Sequence, residues 1–189
     1  MGFFKKIAKR QEWEARKQTR KDGKRVKKAA VRDYYQEEKA GKDELFKMQV
    51  IILMAVRELY GMGAKRLMYL IDRVKLTSDC ISESYLTHVS FPSIEKQLEK
   101  ETGYWIESQR IKSFLYLPRQ HDAIDQVSLL YLWALHLQFD FGKKRLSETY
   151  RHCTKIYLKV MDGERTIDGM IKALEKTGMP PLHMKGYND

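Results

Sequence analysis

Two short runs of cations stand where a helix would begin: Lys65 and Arg66 after Gly63, and Lys143, Lys144 and Arg145 after Gly142. A side chain in the first turn of a helix lies beside backbone amides that lack an intrahelical partner and beside the positive end of the helix dipole, so the place favours an anion. The chemistry open to these residues is to hold phosphate groups as a pair of clamps, positioning a nucleic-acid backbone without reading it. Neither following helix carries an outward set of Asn, Gln and Arg suited to base edges, so sequence readout is not expected.

Other constellations lack the context their chemistry needs. His152 beside Cys153 invites a nucleophile reading, but neighbours on a helix point about 100° apart and no orienting acid is signposted. His136 follows Leu132 and Trp133 at helical spacing and reads as a satisfied core histidine. His88 has no second ligand at metal spacing and reads as a surface residue. The run Gly61-Met62-Gly63-Ala64-Lys65-Arg66 lacks the spacing of a phosphate-cradling P-loop and follows a helix, where that motif follows a strand. Asp140-Phe141-Gly142 matches the magnesium-binding triplet of kinases, without a catalytic loop or enough residues for that fold. There is no Cys-x-x-Cys pair or His-Glu-x-x-His run, and Glu95, Glu99 and Glu101 read as the solvated face of a short helix. A non-enzymatic protein without metal or cofactor is expected.

The clamps sit at equivalent places in a longer self-similarity. Leu53 to Leu70 and Leu132 to Tyr150 both read as an apolar helix, a glycine turn and a basic helix start; Tyr60 aligns with Phe139, Gly63 with Gly142, Arg66 with Arg145 and Leu67 with Leu146 at one offset. Each copy closes alike, Glu101-Thr102-Gly103 against Lys176-Thr177-Gly178, after a four-residue slip in the connecting loop. Such a fixed period is the mark of a duplicated supersecondary unit. The fold class expected is all-α: two tandem helix-turn-helix-type repeats packed into one compact body, preceded by a basic helical N-terminal arm.

Along the chain this gives a basic helical arm over 1–42, a first helical repeat over 43–103, an apolar connector over 104–121, a second repeat over 122–178 and a tail over 179–189. The first helix of repeat one, from about Asp43 to Tyr60, is apolar on most faces and should be buried. Gly61 and Gly63 can take the positive φ that stops it. The next helix, from Ala64 to about Leu76, sets Leu67, Leu70, Ile71 and Val74 on one core face, so Lys65 and Arg66 point away. Tyr85, Leu86, Val89 and Phe91 allow a short extended segment; Pro92 suits a first helical turn, and Ile94 and Leu98 are the buried side of a helix ending at Gly103. The connector, with Tyr104, Trp105, Ile106, Phe114 and Tyr116 and with Pro118 as a breaker, is too apolar for a free linker and reads as packing between the repeats. In repeat two, Leu129, Leu132, Trp133 and Leu137 build a first helix that Gly142 ends. Leu146, Tyr150, Cys153 and Tyr157 are buried by a second, and Ile167, Met170, Ile171 and Leu174 by a third.

Charge is concentrated in the arm. Ten of the eleven net positive charges fall within residues 1–32. Lys5, Lys6, Lys9, Arg10, Arg16, Lys17, Arg20, Lys21, Lys24, Arg25, Lys27 and Lys28 there read as polyanion contacts, because few acids alternate with them as they would on a solvated helix. The first ten residues could instead lie on an anionic membrane with Phe3, Phe4 and Ile7 inserted, though only Trp13 prolongs that face. Met1-Gly2 is followed by Lys6 where a myristoylation signal wants Ser or Thr. No apolar h-region follows the charged start, and the apolar run Val50 to Val56 is too short to span a bilayer. Cys80 and Cys153 form no close pair and suit a reducing interior. These features lead to the expectation of a cytoplasmic protein with a sizeable core, 43% of its residues being hydrophobic.

The repeated Gly-(Ala/Lys)-Lys-Arg-Leu turn, the Thr-Gly ending and the Lys-rich arm resemble small accessory proteins of bacteriophages and prophages of Gram-positive bacteria, over roughly Leu53 to Gly178. The resemblance implies an accessory protein inside a bacterial host cell that works by binding, as a regulator of transcription or replication or as an inhibitor of a host machine such as a CRISPR nuclease. The residues themselves lead to a nucleic acid, or a nucleic-acid-bound protein machine, as the partner. The competing reading is an assembly factor whose arm wraps an acidic protein surface.

Overall fold

The computed structural model describes residue 39, residues 41–105 and residues 118–182. The twelve arm cations from Lys5 to Lys28 lie outside the described residues, as do connector residues 106–117 and tail residues 183–189. The chain divides into two compact units, Met1–Ala40 and Gly41–Asp189, and all the described residues except residue 39 belong to the second.

Every regular element among the described residues is an α-helix: α1, helical over 41–60, α2 Ala64–Ser82, α3 Ser84–Thr87, α4 Phe91–Thr102, α5 Pro118–Phe139, α6 Lys143–Met161 and α7 Ile167–Glu175. The core forms where the sequence is apolar on all sides of a helix. Val50 to Val56 of α1 and Leu129 to Leu135 of α5 are buried without a break, two full turns each, and belong to one continuous hydrophobic cluster with Leu67, Leu70, Leu146, Ile156 and Leu174.

Each central helix ends on a left-handed residue. Gly61 (φ +61°) donates its amide to the Arg57 carbonyl at 2.9 Å, and Asp140 (φ +53°) donates to His136 at 2.9 Å. The offset that aligns Gly63 with Gly142 also aligns Gly61 with Asp140, and the buried Met62 with the buried Phe141. This corrects the expectation that Gly142 stops α5. Gly63 (φ −79°, ψ 171°) and Gly142 (φ −83°, ψ 179°) are extended residues that start α2 and α6. Asp140 is the stop, since an aspartate tolerates the left-handed region better than most side chains.

Other boundaries shift for local reasons. Helix α2 runs beyond Leu76 to Ser82, and the hydroxyls of Thr77 and Ser82 bond back to the carbonyls of Arg73 (2.9 Å) and Ser78 (3.1 Å) within it. No extended segment follows: Ser84–Thr87 is one helical turn, closed by left-handed His88 (φ 56°). Ser90 then starts α4 through a reciprocal cap with Ser93, with Pro92 in the first turn. Pro118 is the first residue of α5, a position that suits a residue without a backbone N–H. Leu137 proves 40% exposed, and Tyr150 is half-buried.

The helices of the two halves are interlocked. Helix α5 of the second half packs on α2 and α4 of the first as well as on its neighbour α6. Helix α1 of the first half reaches α6 and α7 of the second: the Arg57 guanidinium donates to the Ala173 carbonyl at 2.7 Å, and the Tyr60 hydroxyl donates to the Arg145 carbonyl at 3.1 Å. The closing glycines follow the same rule. A Cβ added at Gly103 would lie 4.0 Å from Lys143, the first residue of α6, and one at Gly178 would lie 3.9 Å from Ala64, the first residue of α2.

Candidate nucleic-acid interface

Helices α2 and α6 begin alike, with an extended glycine, no side-chain cap and no acid in the first turn. The first turns carry cations instead, Lys65 and Arg66 on α2 and Lys143, Lys144 and Arg145 on α6, all exposed. Two of them are steered by aromatic rings. Lys65 Nζ stands 5.9 Å from the centre of the Tyr69 ring, and the Arg145 guanidinium carbon 5.3 Å from that of Phe141.

The two turns that present these cations abut. Tyr60, last residue of α1, meets Phe141 edge to face at 4.8 Å, while its hydroxyl lies 3.2 Å from Thr149 Oγ1. Burial, only partly offset by Thr149, and the Glu148 carboxylate raise the Tyr60 phenol above its ordinary pKa, so it stays a neutral donor. Tyr60 thereby fixes the α1–α2 turn against the first turns of α6. The structure brings the two sequence-expected clamps to neighbouring turns of one body; the arm cations lie outside the described residues.

Helix α6 carries more charge outward than its first turn alone. Lys143, Arg151 and Lys155, with Ser147, Tyr150 and Thr154, form one wall of a cavity of about 410 Å³ whose other wall is Gly103, Tyr104 and Trp105. No carboxylate is among the lining residues, and none of the three cations pairs with an acid among the described residues. Sequence reasoning missed Arg151 and Lys155, although both stand on the face that the core pattern Leu146, Cys153, Tyr157 leaves outward. It also folded Trp105 into interior packing, whereas Trp105 is 57% exposed and only Tyr104 beside it is buried. A larger cavity, about 500 Å³ between α1, α2 and α5, is walled by Phe46, Ile71, Val74, Val127 and Leu130, with Lys42, Lys75, Ser78 and Asp79 among its polar residues.

The histidines have partners the sequence did not disclose. His136 Nε2 lies 2.8 Å from Glu101 Oε2, and Nδ1 lies 3.2 Å from the Phe141 carbonyl oxygen, tying α5 to the end of α4. His152 does have an acid beside it, Glu58 of α1 at 2.8 Å, which also accepts from Arg165. Burial alone would raise the Glu58 carboxyl, but the hydrogen bonds and charges of Arg165 and His152 outweigh it and hold the group below its ordinary pKa. Cys153 is not activated by its neighbour: desolvation in the core pushes its thiol up to about 12, the wrong direction for a nucleophile. Cys80 is also a free thiol. Among the described residues no three His, Cys, Asp or Glu side chains gather as a metal site, and no helix is long and apolar enough to cross a membrane.

No family model matches the chain, and neither does any curated protein or any solved structure.

Proposed function

We propose that this chain is a non-enzymatic binding protein for nucleic acid, or for a protein machine that carries nucleic acid, built from two tandem helix-turn-helix-type repeats behind a basic arm. The observation that carries the reading is the uncapped start of α6, with Lys143, Lys144 and Arg145 and no acid in its first turn, continued by Arg151 and Lys155 along an acid-free wall. Phosphates satisfy such a place; a neutral ligand would leave its cations uncompensated. The recurrence of the left-handed stop at Gly61 and Asp140, and of the glycine helix start at Gly63 and Gly142, supports the duplication. With the resemblance to phage accessory proteins, the biological role proposed is that of a phage-encoded regulator or inhibitor of a host machine in the bacterial cytoplasm, a CRISPR nuclease being one such target.

A second reading, an assembly factor for an acidic protein, draws on apolar side chains left exposed on the first half: Tyr69 and Leu76 on α2 and Leu86 on α3. Protein purified without nuclease separates the two. Co-purifying nucleic acid, released by salt, is the outcome expected; a clean protein complex insensitive to salt would overturn the nucleic-acid reading and leave the assembly reading in its place.

A further inference from the structure

The cavity between α6 and Trp105 has a composition its architecture does not require. By the offset between the halves, the positions of α2 equivalent to Lys143, Ser147, Tyr150, Arg151, Thr154 and Lys155 are Ala64, Met68, Ile71, Asp72, Lys75 and Leu76. Each closing glycine lies against the helix start of the opposite half, yet only the start of α6 is followed by a row of cations without an acid partner among the described residues, and only the glycine against it, Gly103, has a tryptophan two residues beyond, where Gly178 has Pro180. Packing alone would have been served by either set.

The three cations are strung out along the helix. At a rise of about 1.5 Å per residue, Arg151 stands about 12 Å and Lys155 about 18 Å along α6 from Lys143. They form a track, suited to phosphates along one strand. Across the cleft the exposed Trp105 ring and the half-buried Tyr150 offer aromatic surface. A groove that combines a row of cations with an aromatic platform meets the needs of an unpaired nucleotide: backbone on the cations, base stacked on the ring. A duplex satisfies only the first, because its bases are already stacked and paired.

We propose that this cleft seats single-stranded nucleic acid, the backbone running along Lys143, Arg151 and Lys155 and one base stacking on Trp105. The proposal rests on the nucleic-acid reading above and adds strandedness and a stacking residue to it. Ser147 supplies a hydroxyl donor between Lys143 and Arg151, the Thr154 hydroxyl being held by the Tyr150 carbonyl at 3.1 Å, and the absence of any carboxylate from the lining removes the repulsion that would disfavour phosphate.

The test uses the full chain with Trp13→Phe, so that Trp105 and the core Trp133 are the remaining indoles. Fluorescence is titrated with an oligothymidylate of about 10 nucleotides, a hairpin duplex of equal phosphate number, thymidine 3′,5′-bisphosphate and polyglutamate. Expected are quenching by the single strand and by the bisphosphate but not by the hairpin, and loss of that quenching in Arg151→Glu/Lys155→Glu. Trp105→Ala should weaken single-strand binding by about fivefold to a hundredfold and leave hairpin binding unchanged, with helical content by circular dichroism confirming the fold. Equal single-strand affinity in Trp105→Ala, with nucleic acid still bound, would overturn this cleft and spare the nucleic-acid reading. Binding of polyglutamate with no binding of either nucleic acid would overturn both.

Discussion

Arg57 and His136 occupy the same position in the two halves and make the same kind of connection. Each reaches from the end of its central helix to the last turns of the short helix in the opposite half, Arg57 to the Ala173 carbonyl of α7 and His136 to the Glu101 carboxylate of α4. Each half is thus closed by the other. Arg57→Met should lower stability by about 1 kcal/mol, the size of one hydrogen bond that is partly solvated, read as a shift in urea midpoint. A midpoint equal to that of an exposed control such as Lys159→Met would show that the connection does not hold the halves together.

Asp140 gives a test of the backbone itself. Its φ of +53° is one glycine adopts freely. Asp140→Gly should leave the melting temperature unchanged or raise it, whereas Asp140→Val should cost about 1–2 kcal/mol. Equal destabilisation by both would mean that the aspartate side chain, not the backbone, is what the turn needs.

Trp133 lies within the unbroken buried run of α5. Trp133→Ala should cost about 3–5 kcal/mol, and thermal unfolding would reveal an exposed functional aromatic instead if the loss were no larger than for a surface residue.

Glu58 sets an acid limit. Its carboxyl titrates below the ordinary 4.5 because Arg165 and His152 outweigh the effect of burial. A group whose folded pKa is depressed contributes stability that is whole above the unfolded value and is lost as pH falls through the folded one. The stability difference between the native chain and Glu58→Gln should therefore shrink as the pH is lowered from neutrality to below the ordinary carboxyl value of 4.5. A difference constant over that range would show that the carboxylate gains nothing from its partners.

Helix pairs were legible because α2, α6 and α7 alternate apolar and polar positions at helical spacing, and the places of Lys65, Arg66, Lys143, Lys144 and Arg145 at helix starts because they follow glycines. The stop at Asp140 was hidden by the glycine two residues later. Which helix would pack on which was not legible at all: the all-round apolar runs of α1 and α5 declare burial but not a partner, so Glu58 with His152 and Arg165, and Glu101 with His136, had no signal at their long sequence separations. Trp105 was misplaced for a related reason, since an aromatic-rich stretch reads as core whether or not every ring faces inward. Arg151 and Lys155 could have been found by asking what the outward face of α6 carries.

That the uncapped starts of α2 and α6 hold phosphates is tested most directly by the salt dependence of nucleic-acid affinity in the full chain and in Lys65→Glu/Arg66→Glu/Lys144→Glu/Arg145→Glu. Each phosphate contact contributes a slope of log affinity against log salt of about −0.9 on duplex DNA and about −0.7 on a single strand. The reversed chain should keep its helical content, bind more weakly at every salt concentration and show a slope shallower by several contacts. An unchanged slope and affinity, or a full chain that binds no nucleic acid at low salt, would contradict phosphate binding at these helix starts.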